Sequence, residues 1–206
     1  MNEEGAYLSE PHHAVNDEAL DQLFRSARSQ NKWQDKPVSA TIIEAIYDLM
    51  RWGPTSANCS PARFVFVTTS EAKERLKPHL DAGNVRQSME APVTAILGYD
   101  LDFARHLPRL YRNSPDAQSW FADAEANKIH ALRNGSLQGG YFILAARALG
   151  LDCGPMGGFN HEGVDAEFFA GTEIKSNFLC NLGYGAGGGF RPRNERLTFD
   201  EACQIV

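Results

Sequence analysis

The segment Pro92–Tyr99, with the sequence PVTAILGY, constrains the fold most because it is apolar on both of its alternating faces. A strand with two apolar faces is buried on both sides, so we predict that it lies in the centre of a sheet. Phe64–Thr68 and Ser176–Tyr184 are also rich in strand-forming residues. These three segments make up the predicted sheet.

Helical periodicity surrounds the predicted strands at irregular intervals. Long amphipathic patterns cover Asn16–Arg28, Ser39–Trp52 and Ala124–Leu149, and shorter patterns cover Glu71–His79 and Val164–Phe169. Because several helices precede the first strand and the alternation is irregular, the pattern favours an α+β sandwich over a doubly wound sheet. No GxGxxG motif follows a strand, which argues against a Rossmann dinucleotide site.

The composition limits the domain organisation and the class of partner. The chain has 206 residues and a net charge of −6. This length predicts one domain, at residues 16–206, behind a flexible N-terminal arm at residues 1–15. The excess of acidic residues argues against a nucleic-acid partner. No run of residues approaches the roughly 20 apolar residues of a membrane helix. With no signal-peptide pattern and no CxxC spacing, we predict a cytoplasmic protein with free thiols and no metal site.

Four segments carry residue types that suit a phosphorylated, planar ligand. They are Arg25–Arg28 (RSAR), Gly53–Pro61 (GPTSANCSP), Gly154–Phe159 (GPMGGF) and Gly185–Arg193 (GAGGGFRPR). Arginine forks and glycine-rich turns bind anions, and glycines let the backbone approach a flat ring closely. Each segment by itself is more typical of ordinary loop chemistry or, for Arg25–Arg28, of a solvated helix edge.

Taken together and in order, these segments resemble the FMN-dependent nitroreductase superfamily. The residues that carry the resemblance are Trp52–Val67, Gly83–Ile96, Ala148–Phe159 and Lys175–Gly185, and it extends over nearly all of residues 16–206. Within the superfamily, the motifs TSANCSPAR and GPMGGF are similar to the malonic semialdehyde reductase subgroup. That subgroup is also called NADH dehydrogenase/NAD(P)H nitroreductase.

The resemblance implies a nitroreductase-like α/β sandwich with a mainly antiparallel central sheet, and a homodimer with an FMN in each of two clefts at the subunit interface. The residues that it places near the phosphate are Arg25, Ser26, Arg28, Arg191 and Arg193. Those that it places along the flavin ring are Asn84, Gln87, Pro155, Met156, Gly157 and Gly158. A third group, Pro54, Ser56 and Asn58, matches the loop that reaches the FMN of the partner subunit. Because the flavin itself carries the hydride, no catalytic side chain is expected.

The chain departs from the family pattern at two of these positions. The usual leading arginine of the phosphate segment falls near Phe24, so Arg25 matches it only approximately. The basic residue that normally follows the amide at Asn84 falls near Gln87, which is uncharged.

The resemblance also implies the reaction. A hydride passes from NADH or NADPH through FMN to a small acceptor, which in this subgroup is malonic semialdehyde, reduced to 3-hydroxypropionate. A general nitroaromatic or quinone reductase and a flavin-binding protein without turnover are the alternatives. In the region Asp100–Phe121, the aromatic residues are expected to cover the flavin. One of Arg105, Arg109 and Arg112 is expected to bind a substrate carboxylate, the alternative being a surface excursion.

Two packing expectations accompany this interpretation. Gly135, Gly139 and Gly140 in the long helix predict close packing, helix against helix at the dimer core, or else a weakened helix. Trp33 and Trp52 are expected in the hydrophobic core.

Overall fold

A computed structural model describes residues 13–188, 190 and 192–206. Most of the predicted arm, up to residue 12, therefore lies outside the described residues, and so does Arg191.

The sheet has four strands, which are β1 (Ala62–Val67), β2 (Val93–Asp100), β3 (Asp152–Met156) and β4 (Ile174–Gly183). Their spatial order is β1-β2-β4-β3, and each neighbouring pair is antiparallel. All eight residues of β2 are buried, and β2 pairs with a strand on each side. The predicted α+β fold with a mainly antiparallel sheet, and the central position of β2, are both confirmed.

The helices follow the sequence periodicity closely. The α-helices are α1 (Asp17–Leu20), α2 (Ala40–Met50), α3 (Ser70–Leu76), α4 (Ala82–Glu90), α5 (Leu107–Leu110), α6 (Ala124–Ala148), α7 (His161–Phe168) and α8 (Phe199–Ala202). A π-helical turn, Asp21–Arg25, continues α1. Strand β3 and helix α4 were not predicted.

Alternate residues of β2 face two separate apolar cores, as a central strand requires. Val93, Ala95 and Leu97 pack into a core beneath α2 and α6. Ile96 packs on the opposite face, among residues of α3 and α7. The helices therefore cover both faces of the sheet.

The glycines of α6 pack against the sheet, so the prediction of helix-to-helix packing is wrong for two of them. A Cβ added to Gly135 would lie 3.0 Å from the Cβ of Tyr99 on β2. One added to Gly139 would lie 2.6 Å from the ring of Phe178 on β4. Gly140 instead faces open space. The glycines thus let α6 lie close to the strands.

Candidate functional site

The segment that follows α1 is fastened to edge strand β3. Ser29 forms a parallel bridge with Cys153, and the backbone N–H of Gln30 donates to the Cys153 carbonyl at 2.8 Å. This long-range pairing holds the predicted phosphate segment, which ends just before Ser29, beside the start of β3. Sequence reasoning placed both segments at one site without predicting the pairing.

The C-terminal segment supplies a second basic group to the same place. One guanidinium nitrogen of Arg193 donates to the carbonyls of Arg25 and Ala27, both at 2.9 Å. The guanidinium of Arg28 lies 4.9 Å from the ring centroid of Phe190, close enough for a cation–π contact. The structure therefore places Arg28, through its contact with Phe190, and Arg193, through its bonds to Arg25 and Ala27, at the end of the first helix.

The side chain of Arg25 is engaged elsewhere. Its guanidinium contacts the carboxylates of Asp17 at 2.7 Å and Asp21 at 2.6 Å. Only its backbone carbonyl bonds to Arg193. The neighbouring Ser26 closes the π-helical turn, since its N–H donates to the Asp21 carbonyl at 2.8 Å. The structure thus directs the Arg25 charge toward the helix acids.

Helix α4 carries the two predicted amide residues to the segment that follows β3. Asn84 Nδ2 donates to the Gly158 carbonyl at 2.8 Å, and Gln87 Nε2 donates to Asn84 Oδ1 at 2.7 Å. Trp33, half-buried rather than fully core, donates from Nε1 to the Gln87 carbonyl at 3.0 Å. This chain of hydrogen bonds fixes the orientation of both amides.

The residues at the end of β3 expose bare backbone. Pro155 and Gly157 are exposed, and a Cβ added to Gly157 would meet no atom within 4 Å. In contrast, a Cβ added to Gly158 would lie 2.6 Å from Asp81 Oδ2 and 2.8 Å from Asn84 Nδ2. Met156 points inward, where its sulfur accepts from Ser88 Oγ at 3.6 Å. This arrangement leaves an open, flat surface beside the amides of Asn84 and Gln87.

The loop before β1 has an unusual backbone that α6 holds in place. Ala57, Asn58 and Ser60 all have positive φ, at 50°, 49° and 41°. Such a conformation costs roughly 1–3 kcal/mol per non-glycine residue and persists only where surrounding contacts determine it. One such contact is the bond from the Ser56 N–H to the buried Asn134 Oδ1 at 2.9 Å. The contact with Asn134 therefore helps to hold the loop in this conformation.

Two residues that sequence reasoning missed, Asn134 and Gln138, support this loop from α6. Gln138 Oε1 accepts from the Ala62 N–H at 2.9 Å, at the start of β1. Both side chains are buried amides that precede the glycines of α6. A polar residue on the buried face of a helix was the available signal, because buried polar groups require a defined partner.

Cys59 lies inside this loop as a packed residue. Its side chain is fully buried, and burial raises the pKa of its thiol to about 11. At neutral pH the sulfur is therefore a protonated thiol with little nucleophilic character.

A cleft of about 960 Å³ lies between α2, this loop and α5. Pro54 and Asn58 line it from the loop, and Arg109 and Leu110 line it from α5. Asn58 Nδ2 also donates to the Leu110 carbonyl at 2.9 Å, which fastens α5 to the loop. The volume is in the range of small-molecule sites.

A buried carboxylate anchors the wall of this cleft. Asp100, at the end of β2, is 1% exposed, and its Oδ2 lies 2.6 Å from Arg63 and 3.4 Å from Arg105. Arg105 also contacts Asp102 at 2.9 Å and donates from Nε to His106 Nε2 at 3.2 Å. A paired buried charge of this kind holds the chain after β2 in one position.

His106 is predominantly neutral at neutral pH. Burial lowers the pKa of its imidazole, and the positive charges of Arg63, Arg105 and Arg109 lower it further, against the opposing effect of Asp100. Its Nε2 accepts from Arg105, which is consistent with the neutral form.

The predicted site residues therefore fall into two groups at opposite edges of the sheet. Arg28, Asn84, Gly158 and Arg193 gather beside edge strand β3, whereas the Pro54–Asn58 loop precedes edge strand β1. Two strands separate these edges, which corresponds to about 14 Å at the usual strand spacing. One subunit thus presents the predicted residues as two separate groups.

Neither a membrane span nor a metal site emerges from the part of the chain that the structure describes. No helix there is long and apolar enough to cross a membrane. No group of three or more His, Cys, Asp or Glu side chains in the same residues could hold a metal ion.

Comparison with known proteins identifies the class to which this fold belongs. Residues 24–184 match the family model described as the nitroreductase family. A relative from Stenotrophomonas maltophilia (strain K279a) is 60% identical over 195 residues, which cover 94% of this chain and 99% of that protein. A relative from Caulobacter sp. (strain K31) is 56% identical, with 91% of this chain and 96% of that protein covered. Both are named as candidate NADH dehydrogenase/NAD(P)H nitroreductases. The chain belongs to the nitroreductase family.

Solved structures share its fold at low sequence identity. A nitroreductase in complex with FMN from Exiguobacterium sibiricum 255-15 superposes with a TM-score of 0.83 at 20% identity, covering 95% of this chain and 99% of that one. An NAD(P)H:FMN oxidoreductase from Staphylococcus epidermidis ATCC 12228 gives a TM-score of 0.81, also at 20% identity, with 96% and 99% covered.

Proposed function

We propose that the protein is an FMN-dependent oxidoreductase that takes a hydride from NADH or NADPH and passes it to a small acceptor. Membership of the nitroreductase family supports the class of activity. The names of the close relatives support NAD(P)H as the reductant, and the fold shared with an FMN complex supports the cofactor.

The observation that carries the FMN proposal is the group of predicted residues beside β3, whose chemistry fits this cofactor. The open backbone at Gly157 leaves room for a planar ring, because even an added Cβ would meet nothing there. Asn84 and Gln87 present amides at the edge of that surface. Arg28 and Arg193 supply the positive charge that a phosphate requires, and Arg191 is proposed as a further phosphate ligand.

In this proposal the residues of the chain bind and orient, and FMN, when bound, supplies the hydride chemistry. Arg28 and Arg193 hold the phosphate, while Asn84 and Gln87 fix the edge of the ring system. Ser26 and the carbonyl of Arg25 shape the phosphate end from the backbone side. Pro155, Met156, Gly157 and Gly158 provide the surface against which the ring rests. Pro54, Ser56 and Asn58 complete the site of the partner subunit.

For the acceptor, we propose malonic semialdehyde, reduced to 3-hydroxypropionate. The aldehyde carbon gains a hydride, its oxygen gains a proton from solvent, and NAD(P)H becomes NAD(P)⁺, so atoms and electrons balance. The support is the sequence similarity of TSANCSPAR and GPMGGF to that subgroup. A general nitroaromatic or quinone reductase is the second candidate, favoured by the nitroreductase in the names of the relatives.

Anaerobic reduction of the purified protein tests this function. We expect yellow protein that NADH or NADPH bleaches, and whose colour returns on addition of malonic semialdehyde. Return of colour with quinones or nitroaromatics alone would favour the second candidate. Yellow protein that NAD(P)H does not bleach would identify a flavin-binding protein without turnover, and protein that takes up no FMN would overturn the proposal.

We further propose that the protein acts as a homodimer in the cytoplasm. Large apolar side chains are exposed on α6, with Leu137 at 45% and Tyr141 at 37%, and just past the end of α2, where Trp52 is 79% exposed. Exposed apolar surface of this extent is typical of an interface. The core position predicted for Trp52 is wrong for the single chain, and a dimer would explain its exposure.

Light scattering is expected to give twice the subunit mass of 22.8 kDa. Obligate interfaces of this kind bury upwards of about 2,000 Å². Leu137→Glu would place charge in that interface, so we expect it to yield monomers that have lost FMN, because each flavin site needs the loop of the partner. A wild-type monomer with full FMN content would contradict this prediction.

A further inference from the structure

The cleft between α2 and α5 carries three arginines on its wall, Arg51, Arg63 and Arg109, beside the neutral His106. Such a cleft suits an anionic ligand, provided that one of the charges is available to it. The contacts of each side chain decide which one is available.

Arg63 and Arg51 already have partners. The Arg63 guanidinium bonds to Asp100 at 2.6 Å and to the carbonyls of Ser60 and Ala62 at 3.1 and 2.9 Å. Arg51 lies 3.7 Å from Asp48 and stacks on the ring of Trp52 at 5.6 Å. Asp48 and Glu44 also make the α2 side of the cleft acidic, so an anion would bind nearer to α5.

Arg109 differs from these side chains. Among the described residues, its guanidinium has no hydrogen-bond or ion-pair partner, and its side chain is exposed on the cleft wall. Its backbone is nevertheless well placed. Leu107, two residues before Arg109, is buried. The carbonyl of Leu110, the residue after Arg109, accepts the hydrogen bond from Asn58. Arg109 is thus an available cation on an anchored helix.

The other two candidate arginines are excluded by their contacts. Arg105 is held by Asp100, Asp102 and His106. Arg112 does not line the cleft, and its Nε bonds to the Arg109 carbonyl at 3.4 Å.

We propose that Arg109 binds the carboxylate of the acceptor and thereby selects short carbonyl acids over uncharged carbonyl compounds. The inference rests on the proposed function, because Pro54 and Asn58, which are proposed to reach the flavin of the partner subunit, line the same cleft. A guanidinium can hold a carboxylate through two parallel hydrogen bonds, which fixes the far end of the molecule.

Steady-state kinetics on Arg109→Ala holoenzyme tests the proposal. We expect the KM for malonic semialdehyde to rise by about 10–100-fold, the loss typical of one charge-assisted contact. The kcat should change little, because the contact is made equally in the ground and transition states. The KM for an uncharged quinone should not change. Arg109→Lys should recover part of the loss, and Arg112→Ala serves as the matched control.

A binding measurement supplies a readout that does not depend on turnover. Calorimetric titration of the oxidised holoprotein with malonate should show binding to wild type and to Arg112→Ala, and a 10–100-fold weaker constant for Arg109→Ala. Equal KM changes for acid and quinone, no change for either, or undiminished malonate binding by Arg109→Ala would overturn the inference. So would a wild-type protein that reduces quinones but neither reduces the acid nor binds malonate. A protein that takes up no FMN or is not bleached by NAD(P)H would instead overturn the proposed function itself.

Discussion

Replacing Arg28 by alanine is expected to weaken FMN binding by about 10–150-fold, because it removes a charge-assisted contact worth ~1.5–3 kcal/mol. Arg28 lies beside Phe190, at the point where Arg193 joins the C-terminal segment to the first helix. A phosphate placed there would meet positive charge from two segments that are about 165 residues apart in sequence. Titration of the apoprotein, followed by quenching of flavin fluorescence, gives the dissociation constant.

The matched control for this experiment is Arg196→Ala. Arg196 lies in the same C-terminal segment, but within the described part of the chain its guanidinium bonds only to the carbonyls of Asn194 and Glu195. Arg196→Ala removes the same formal charge as Arg28→Ala. Comparing the two variants therefore separates the loss of a local contact from a general change in net charge. An unchanged dissociation constant for Arg28→Ala, or an equal loss for both variants, would remove Arg28 from the phosphate site.

The local sequence pattern was sufficient to predict those helices and strands whose own residues favour the observed secondary structure. Strand β2 is apolar on both faces and is central, and α6 begins at Ala124 as its periodicity predicted. Thr198 and Glu201, three residues apart as a capping box requires, form one at the start of α8. In each case the local preference and the tertiary environment agree, which is the condition under which such reasoning succeeds.

The elements that were missed depend on long-range contacts. Strand β3 contains Gly154 and Pro155, both of which disfavour strands, and it forms because it pairs with β4 at the edge of the sheet, where proline is tolerated. Helix α4 contains Gly83 and Asn84, which are weak helix formers, and its Asn84 side chain bonds to the Gly158 carbonyl. Neither β4, the partner of β3, nor the Gly158 carbonyl, the partner of Asn84, can be recognised from the local sequence of these elements.

The candidate site shows the same division. The residue types of its segments were enough to select them as candidates, since arginines, glycines and amides suit a phosphorylated planar ligand. The supporting residues Asn134 and Asp100 were not found, because their role depends on which backbone or charge lies opposite each of them in the fold. The direction of the Arg25 side chain was missed although the sequence carried a signal for it, since Asp21 lies four residues earlier on the same helix face, the spacing of a helical ion pair.

Two glycines, one within β3 and one just past its end, allow the proposed flavin surface to be tested apart from stability. Alanine at Gly154 would place its Cβ onto the backbone carbonyl oxygen of Gln30 and 3.4 Å from Trp33. Because both backbones belong to the Ser29–Cys153 bridge, neither can yield easily. We expect Gly154→Ala to lose about 1–3 kcal/mol or more of folding free energy and to lower the apoprotein melting temperature by roughly 2–12 °C.

Alanine at Gly157 adds the same methyl group three residues further on, where it would meet no protein atom within 4 Å. The melting temperature of the apoprotein should therefore stay unchanged or rise slightly, since alanine restricts the unfolded chain. If the flavin ring rests against this bare backbone, the methyl group occupies its space, and we expect FMN affinity to fall by about 10-fold or more. Differential scanning fluorimetry of apoprotein and FMN titration, run on both variants, measure the two effects separately. Undiminished FMN affinity in a stably folded Gly157→Ala protein would show that the ring lies elsewhere, whatever the outcome at Gly154.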